Sequence, residues 1–194
     1  VVATKGLAKN LAERLESLSG YRHAFAVHDK NAHLNPVNYS HLRVTVSGQH
    51  YNVLSRICDA GQDYTNRSNK LAHHVALTTS DQTPGGPAYV LQQSGFCIEE
   101  WDGQTCVSEV GDRKPRKNSP GLAKCSTWEF WGDAGWAGVL AQSALEGVNQ
   151  SQTIIFPAES AKSTLDLVAE AISLLPVEKR WGVTFSTYFT KLPA

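Results

Sequence analysis

The chain opens on a helical period. Leu7, Leu11, Leu15 and Leu18 recur every three or four residues, with Lys9, Glu13, Arg14 and Glu16 elsewhere on the wheel. That spacing predicts an amphipathic helix over residues 1–18, ended by Gly20 and either packed on the downstream domain or part of a linker. From Tyr21 the period shortens to two. Residues 21–28 (YRHAFAVH) alternate as a strand does, and residues 41–57 (HLRVTVSGQHYNVLSRI) read as two strands joined at Ser47 and Gly48, a β-hairpin. A run of turn-forming residues, CDAGQDYTNRSNK, comes next. It gives way to LAHHVALTT, which is apolar enough for either a strand or a short helix.

Proline and glycine punctuate TPGGPAYVLQQSGF ahead of a short helix expected at residues 88–93, and residues 96–101 (FCIEEW) read as another strand. Residues 102–124 have the composition of a loop. Their basic cluster, Arg113, Lys114, Arg116 and Lys117, reads as a solvated face. Trp128, Trp131 and Trp136 precede a small-residue helix expected near residues 136–145, and TIIFP (153–157) reads as a short buried strand. The clearest helix is SAKSTLDLVAEAISLLP, with Leu165, Val168, Ile172 and Leu175 on one face, Ser160 or Ser163 as its cap and Pro176 beyond its end. RWGVTFSTYFT (180–190) closes the chain as a strand. The order of elements predicts an α/β or α+β fold, a mixed β-sheet with flanking helices, forming one domain over residues 21–194 behind an N-terminal helix at 1–20.

Composition narrows the classes of function. A chain of 194 residues can bury a single substantial core. Lys plus Arg and Asp plus Glu are both 18, so no net positive field exists to hold a phosphate backbone, which argues against nucleic acid as a partner. No apolar run reaches about 18 residues, the length that spans a bilayer. The start VVATKGLAKN has no apolar signal core, so a soluble, cytoplasmic protein without membrane association is expected. A valine start and the absence of methionine suggest a part of a longer, multidomain protein. The cysteines, Cys58, Cys97, Cys106 and Cys125, contain no CxxC pair and are expected to be reduced.

The densest chemistry falls in residues 59–74, where Asp59, Asp63, Tyr64, Asn66, Arg67, Asn69, Lys70, His73 and His74 sit between apolar stretches. Loops at strand ends are where sites concentrate. Asp63, Asn66, Arg67, Asn69, His73 and His74 are the candidate binding residues. The competing reading is that Asp63, Asn66 and Asn69 satisfy their own loop and staple it to Arg67. A hydrolase or transferase would use His73 or His74 with Asp63 and Cys58, and a sensor would hold an anionic ligand on Arg67 and Lys70. If residues 73 and 74 are in a strand, their imidazoles point to opposite faces, which weakens a shared metal site. HExxH, the EF-hand pattern, GxGxxG and GxxxxGK[ST] are all absent, so no metal or other cofactor is expected. The stretch GDAGWAG at residues 132–138 reads either as backbone N–H groups offered to an anion or as a glycine turn that lets Trp136 pack.

Three blocks, SRICDAGQDYTNRSNKLAHHVAL, GDAGWAGVLAQ and LLPVEKRWGVTFSTYFT, taken in that order, resemble the N-terminal domain of bacterial GTPase-associated proteins. These are adaptor-like components of multi-gene conflict systems. The resemblance implies an α/β domain at the front of a multidomain protein, encoded beside a GTPase and acting in assembly or sensing during defence against phage. No catalytic residues come with it. Residues and resemblance together lead us to expect a non-enzymatic adaptor or sensor, whose contact surface is the loop of residues 59–74 with the nearby tryptophans and whose partners are proteins, a GTPase among them.

Overall fold

The computed structural model describes residues 3–101, 107–108, 113–118, 121, 124–146 and 152–190. The fold is α+β. Its centre is a four-stranded antiparallel sheet built from β2 (Asn38–Val46), β3 (Gln49–Gln62), β4 (Ser68–Leu77) and β6 (Phe185–Ser186), in the order β4-β3-β2-β6. A small parallel pair, β1 (Ala3–Thr4) with β5 (Val107–Ser108), stands apart from it.

The first hairpin forms where the sequence placed it. Ser47 and Gly48 both take positive φ, 50° and 79°, the two-residue turn whose twist matches the strands it joins. LAHHVALTT resolves as strand as far as Leu77, because β4 has nine positions of β3 beside it to pair with.

Each face of the sheet carries its own layer. On one, α1 (Lys9–Ser17) lays Leu11 and Leu15 on Val44 and Val53, with Leu7 and Leu18 at the margin. On the other, α2 (Gly86–Leu91) and α5 (Thr164–Ser173) pack Ala88, Val90, Leu91, Leu165 and Ile172 over Leu54 and Leu77, and Trp181 completes that core. Outside α5 lie α3 (Ser126–Phe130) and α4 (Gly135–Glu146), where the small residues Ala137 and Ala141 let α4 approach α5 closely. A last short helix, α6 (Val177–Arg180), leads to β6.

Several expected strands do not form, and in two of them side chains rather than a ladder satisfy the backbone. In residues 21–28, Asn35 holds both the N–H and the C=O of Phe25, at 2.9 and 3.0 Å. In residues 96–101, Ile98 donates its N–H to His73 Nδ1, while Arg56 takes the carbonyls of Ile98 and Glu99. Residues 153–157 run without a strand partner among the described residues. There Phe156 meets Trp131 while Ile155 is exposed. At residues 180–190 only Phe185 and Ser186 pair as strand, because Arg180 ends α6 and Trp181 and Gly182 form the turn after it.

The clearest predicted helix begins as a 3-10 stretch, Ala158–Ser163, before α5 proper. Ser163 stands at the N-cap position without capping, since its hydroxyl donates to the Ser160 carbonyl and accepts from Trp131 Nε1. Arg113 and Arg116 are more than a solvated face. They donate to the carbonyls of Gly95, Phe96 and Ser94, just past the negative end of α2. Among the described cysteines Cys58, Cys97 and Cys125 are free thiols, and burial pushes the Cys97 thiol up to about 11.

Candidate functional site

Residues 59–74 form the outer half of the β3–β4 hairpin, and their local sequence explains the tip. Asn66 donates its N–H to the Asp63 carbonyl and Asp63 donates to the Arg67 carbonyl, both at 3.0 Å, which closes a tight turn with Asn66 in the left-handed region at φ 62°. Asparagine tolerates that conformation better than most residues. The Asp63 carboxylate gathers the rest: Oδ1 accepts from the Thr65 N–H at 2.8 Å, the Thr65 hydroxyl at 2.6 Å and the Arg67 N–H at 3.0 Å. Those bonds, the Thr65 hydroxyl foremost, hold the carboxyl below its ordinary range.

Arg67 is tied into the same knot through Nε, which donates to Thr65 Oγ1 at 2.8 Å and lies 3.5 Å from Asp63 Oδ2, yet its side chain is 76% exposed. Tyr64 beside it is 97% exposed. The tip therefore does both things its residues allowed: it staples itself, and it presents Arg67 and Tyr64 to solvent. Because Asp63 neutralises Arg67, the tip offers little net positive field to an anion.

His73 and His74 lie on the body of β4 rather than at the tip. Five steps of strand separate Ser68 from His73, about 17 Å. Period two sends the imidazoles to opposite faces, and each is engaged there. His74 lies 2.7 Å through Nδ1 from the hydroxyl of Ser55, its cross-strand partner, and 2.9 Å through Nε2 from the hydroxyl of Ser19 just past α1. His73 stands in register with Arg56 and accepts the Ile98 N–H. Burial lowers both to about 4, and the positive charge of Arg113 adds to the shift at His73, so both are neutral at pH 7.

The Cys58, His and Asp63 grouping expected of a hydrolase does not assemble. Cys58 and His73 share the face of Arg56, but Arg56 Nη1 lies 3.1 Å from the Cys58 sulfur and the Ile98 N–H bonds His73 Nδ1, while His74 is on the other face and Asp63, at the tip, bonds only within its own turn. The imidazole that does meet a carboxylate is His23, whose Nε2 is 3.2 Å from Asp59 Oδ1. Asn35 and the Gly61 N–H also bind that carboxylate. A recess of about 280 Å³ opens between α2 and α5 beside Tyr39, Cys97, Glu99 and Lys162, and none of the candidate binding residues lines it. Among the described residues no group of three or more His, Cys, Asp or Glu side chains is placed to hold a metal ion.

Sequence reading missed Ser19, His23, Asn35, Ser55 and Arg56. The clue available for the last two was a serine and an arginine inside the otherwise apolar strand YNVLSRI, since such residues are buried only when partnered. For the first three no local signal exists. Of the tryptophans, Trp128 and Trp131 belong to the core around α5, with Trp128 Nε1 donating to the Leu167 carbonyl at 2.8 Å. Trp136 is 58% exposed, so the turn before it does not serve to pack it. Asp133 Oδ1 takes the Gly135 N–H there, in place of an external anion.

The family model for GTPase-associated protein 1, N-terminal domain type 2, matches residues 1–111, more than half of the chain. The chain belongs to the GTPase-associated protein 1 family. A second model, for the middle domain of the same protein, matches residues 125–194. No curated protein and no solved structure matches the chain. In this GTPase-associated protein the two matched regions share one core: Leu54, Leu77, Ala88 and Phe96 from the first pack with Leu165, Ile172 and Trp181 from the second. No helix among the described residues is long and apolar enough to cross a membrane.

Proposed function

We propose that this part of a GTPase-associated protein is a non-enzymatic adaptor or sensor of a bacterial conflict system directed against phage, and that it works in the cytoplasm by binding a protein partner, the associated GTPase first among the candidates. The binding residues are Asp63, Asn66, Arg67 and Asn69 at the hairpin tip, with His73 and His74 bracing the strand that carries it. The observation that carries this reading is the pairing of a self-bonded tip with an exposed tyrosine and arginine. Tyr64 and Arg67 are of the residue types that dominate protein interfaces, and Asp63 and Thr65 hold the backbone still before any partner arrives.

The test is co-purification with the GTPase encoded beside it, comparing wild type with Tyr64→Ala, Arg67→Ala and His74→Ala. Loss of binding by the two tip variants at unchanged thermal stability is the expected result. Undiminished binding by both tip variants removes the tip from the interface. A GTPase that never co-purifies with the wild-type protein overturns the choice of partner.

A further inference from the structure

The recess between α2 and α5 takes its walls from both matched regions. Tyr39, Leu91, Cys97 and Glu99 belong to the first, and Lys162, Leu165 and Asp166 to the second. Leu91, Leu165 and Cys97 are buried beneath it, and burial keeps the Cys97 thiol protonated, so its floor is uncharged. The rim is held in place from outside. Gln93 exchanges bonds with the Arg116 backbone at 2.9 and 3.3 Å, and Arg116 Nη2 donates to the Ser94 carbonyl at 3.3 Å. A volume of about 280 Å³ falls at the small end of ligand sites, which start at roughly 300 Å³, so the recess suits a small metabolite.

The charges around that floor are of both signs and are kept apart. Lys162 closes the 3-10 stretch that runs into α5, and Asp166 follows it by four residues, a spacing that on a helix sets Cβ atoms about 5–6 Å apart. The two do not pair. Asp166 Oδ1 instead accepts from Gln92 Nε2 at 2.6 Å, across at the end of α2, and no ion pair joins Lys162 to Asp166 or Glu99 among the described residues. An ammonium and a carboxylate fixed as neighbours over an apolar floor complement a molecule that carries the opposite pair of charges on one carbon.

We infer that the recess binds a free α-amino acid with an uncharged, apolar side chain, its carboxylate on Lys162, its ammonium on Asp166 Oδ2 and its side chain over Leu91 and Leu165. The surrounding charges select that side chain. Arg56 and Arg113 cast a positive field on the floor at Cys97, which opposes a basic side chain, and Glu99 beside it opposes an acidic one. A bound amino acid ties the two matched regions together across the groove. The inference stands independently of what the hairpin tip binds.

Calorimetric titration of the purified protein with L-leucine and with L-phenylalanine should give one site of millimolar or tighter affinity, with a dose-dependent rise in melting temperature. Isoamylamine, which is leucine without its carboxylate, and isocaproate, which is leucine without its ammonium, should each bind roughly tenfold more weakly or worse. Leucine should lose as much on Lys162→Gln and on Asp166→Asn. Lys162 is exposed and Asp166 half-buried, and asparagine keeps an acceptor for Gln92, so the unliganded variants should melt as wild type does. No binding of either amino acid at millimolar concentration overturns the inference. Full affinity in either variant, or for either truncated analogue, does so too, and tighter binding of L-lysine or L-glutamate than of L-leucine overturns the ligand class. If a variant unfolds, the analogues measured on the wild-type protein decide.

Discussion

Arg180 donates through Nη1 to the carbonyl oxygen of Pro84 at 2.7 Å, across 96 residues of chain. The same guanidinium takes the Leu175 carbonyl through Nε at 3.0 Å and the Ser173 carbonyl through Nη2 at 2.8 Å. Two of those three acceptors lie at the carboxyl end of α5, where a helix leaves carbonyls without partners, and the third precedes α2. One buried cation thus ties together the regions matched by the N-terminal and middle-domain models.

Arg180→Ala strands three carbonyl acceptors in a buried setting and should cost about 3 kcal/mol, read by urea denaturation. Arg180→Lys should recover only part, because an ammonium cannot span the fork of a guanidinium. A chain cut after residue 111 loses Leu165, Ile172 and Trp181 from its core and should be unfolded or aggregated by circular dichroism. A cooperatively folding 1–111 fragment would show that the shared core is dispensable.

Gly86 sits directly against this clamp. Its φ is +80°, and a Cβ there would stand 2.9 Å from Arg180 Cβ and 3.2 Å from Ile172 Cγ2. Gly48 has nearly the same φ, +79°, with open space around it. Gly48→Ala should therefore cost about 1 kcal/mol of backbone strain alone, while Gly86→Ala adds steric conflict on top of that strain. Equal losses in a denaturation series would mean that α2 shifts freely against α6.

What the chain made legible was local. The Ser47–Gly48 hairpin, α5 and the opposite orientations of His73 and His74 follow from local chemistry and period, which act within a few residues. The tip is legible for the same reason, since Asp63, Thr65, Asn66 and Arg67 bond to one another. Residues 21–28 misled because alternation reports one buried side per residue pair and does not say whether a strand lies alongside, and residues 96–101 and 153–157 misled because a short apolar or aromatic run is equally silent on that. The partners of His74 and Asp59 were beyond reach: Ser19 is 55 residues from His74, and His23 is 36 from Asp59. Contacts of that separation depend on topology, which spacing along the chain does not encode.

Histidines set the acid limit of stability. His73 and His74 titrate near 4 in the folded protein, against about 6.5 in an unfolded chain. His41, enclosed between the Val183 carbonyl and the Asn52 amide, is also lowered by its burial. Between pH 6.5 and 4 the unfolded chain binds protons that the folded one refuses, so stability falls as pH falls, by about 1.4 kcal/mol per pH unit for each of His73 and His74, and His41 adds in the same direction. Below pH 4 the contributions of His73 and His74 level off. Denaturation midpoints from pH 7.5 to 4.5 should show the loss, and His74→Gln should make the slope shallower. A slope unchanged by that substitution would mean that folding does not shift His74 from its ordinary range.

The tip permits a separation of folding from binding. Asn66 holds φ 62° without a clash, so Asn66→Gly should leave stability unchanged or raise it slightly, whereas Asn66→Ala should lose about 1 kcal/mol to left-handed strain. Asp63→Ala removes an acceptor of three bonds, but at a solvent-exposed turn water replaces most of them, and the loss of stability should be small. What Asp63→Ala does remove is the order of the loop that aims Arg67 and Tyr64. A tip that works by preorganisation should therefore lose partner affinity in Asp63→Ala out of proportion to its small change in melting temperature, whereas Asn66→Gly, where the turn is preserved, should lose only what the Asn66 amide itself gives the partner. Calorimetric titration of both variants against the partner protein, beside their thermal melts, makes the comparison. Full affinity in Asp63→Ala would mean that the partner orders the tip itself.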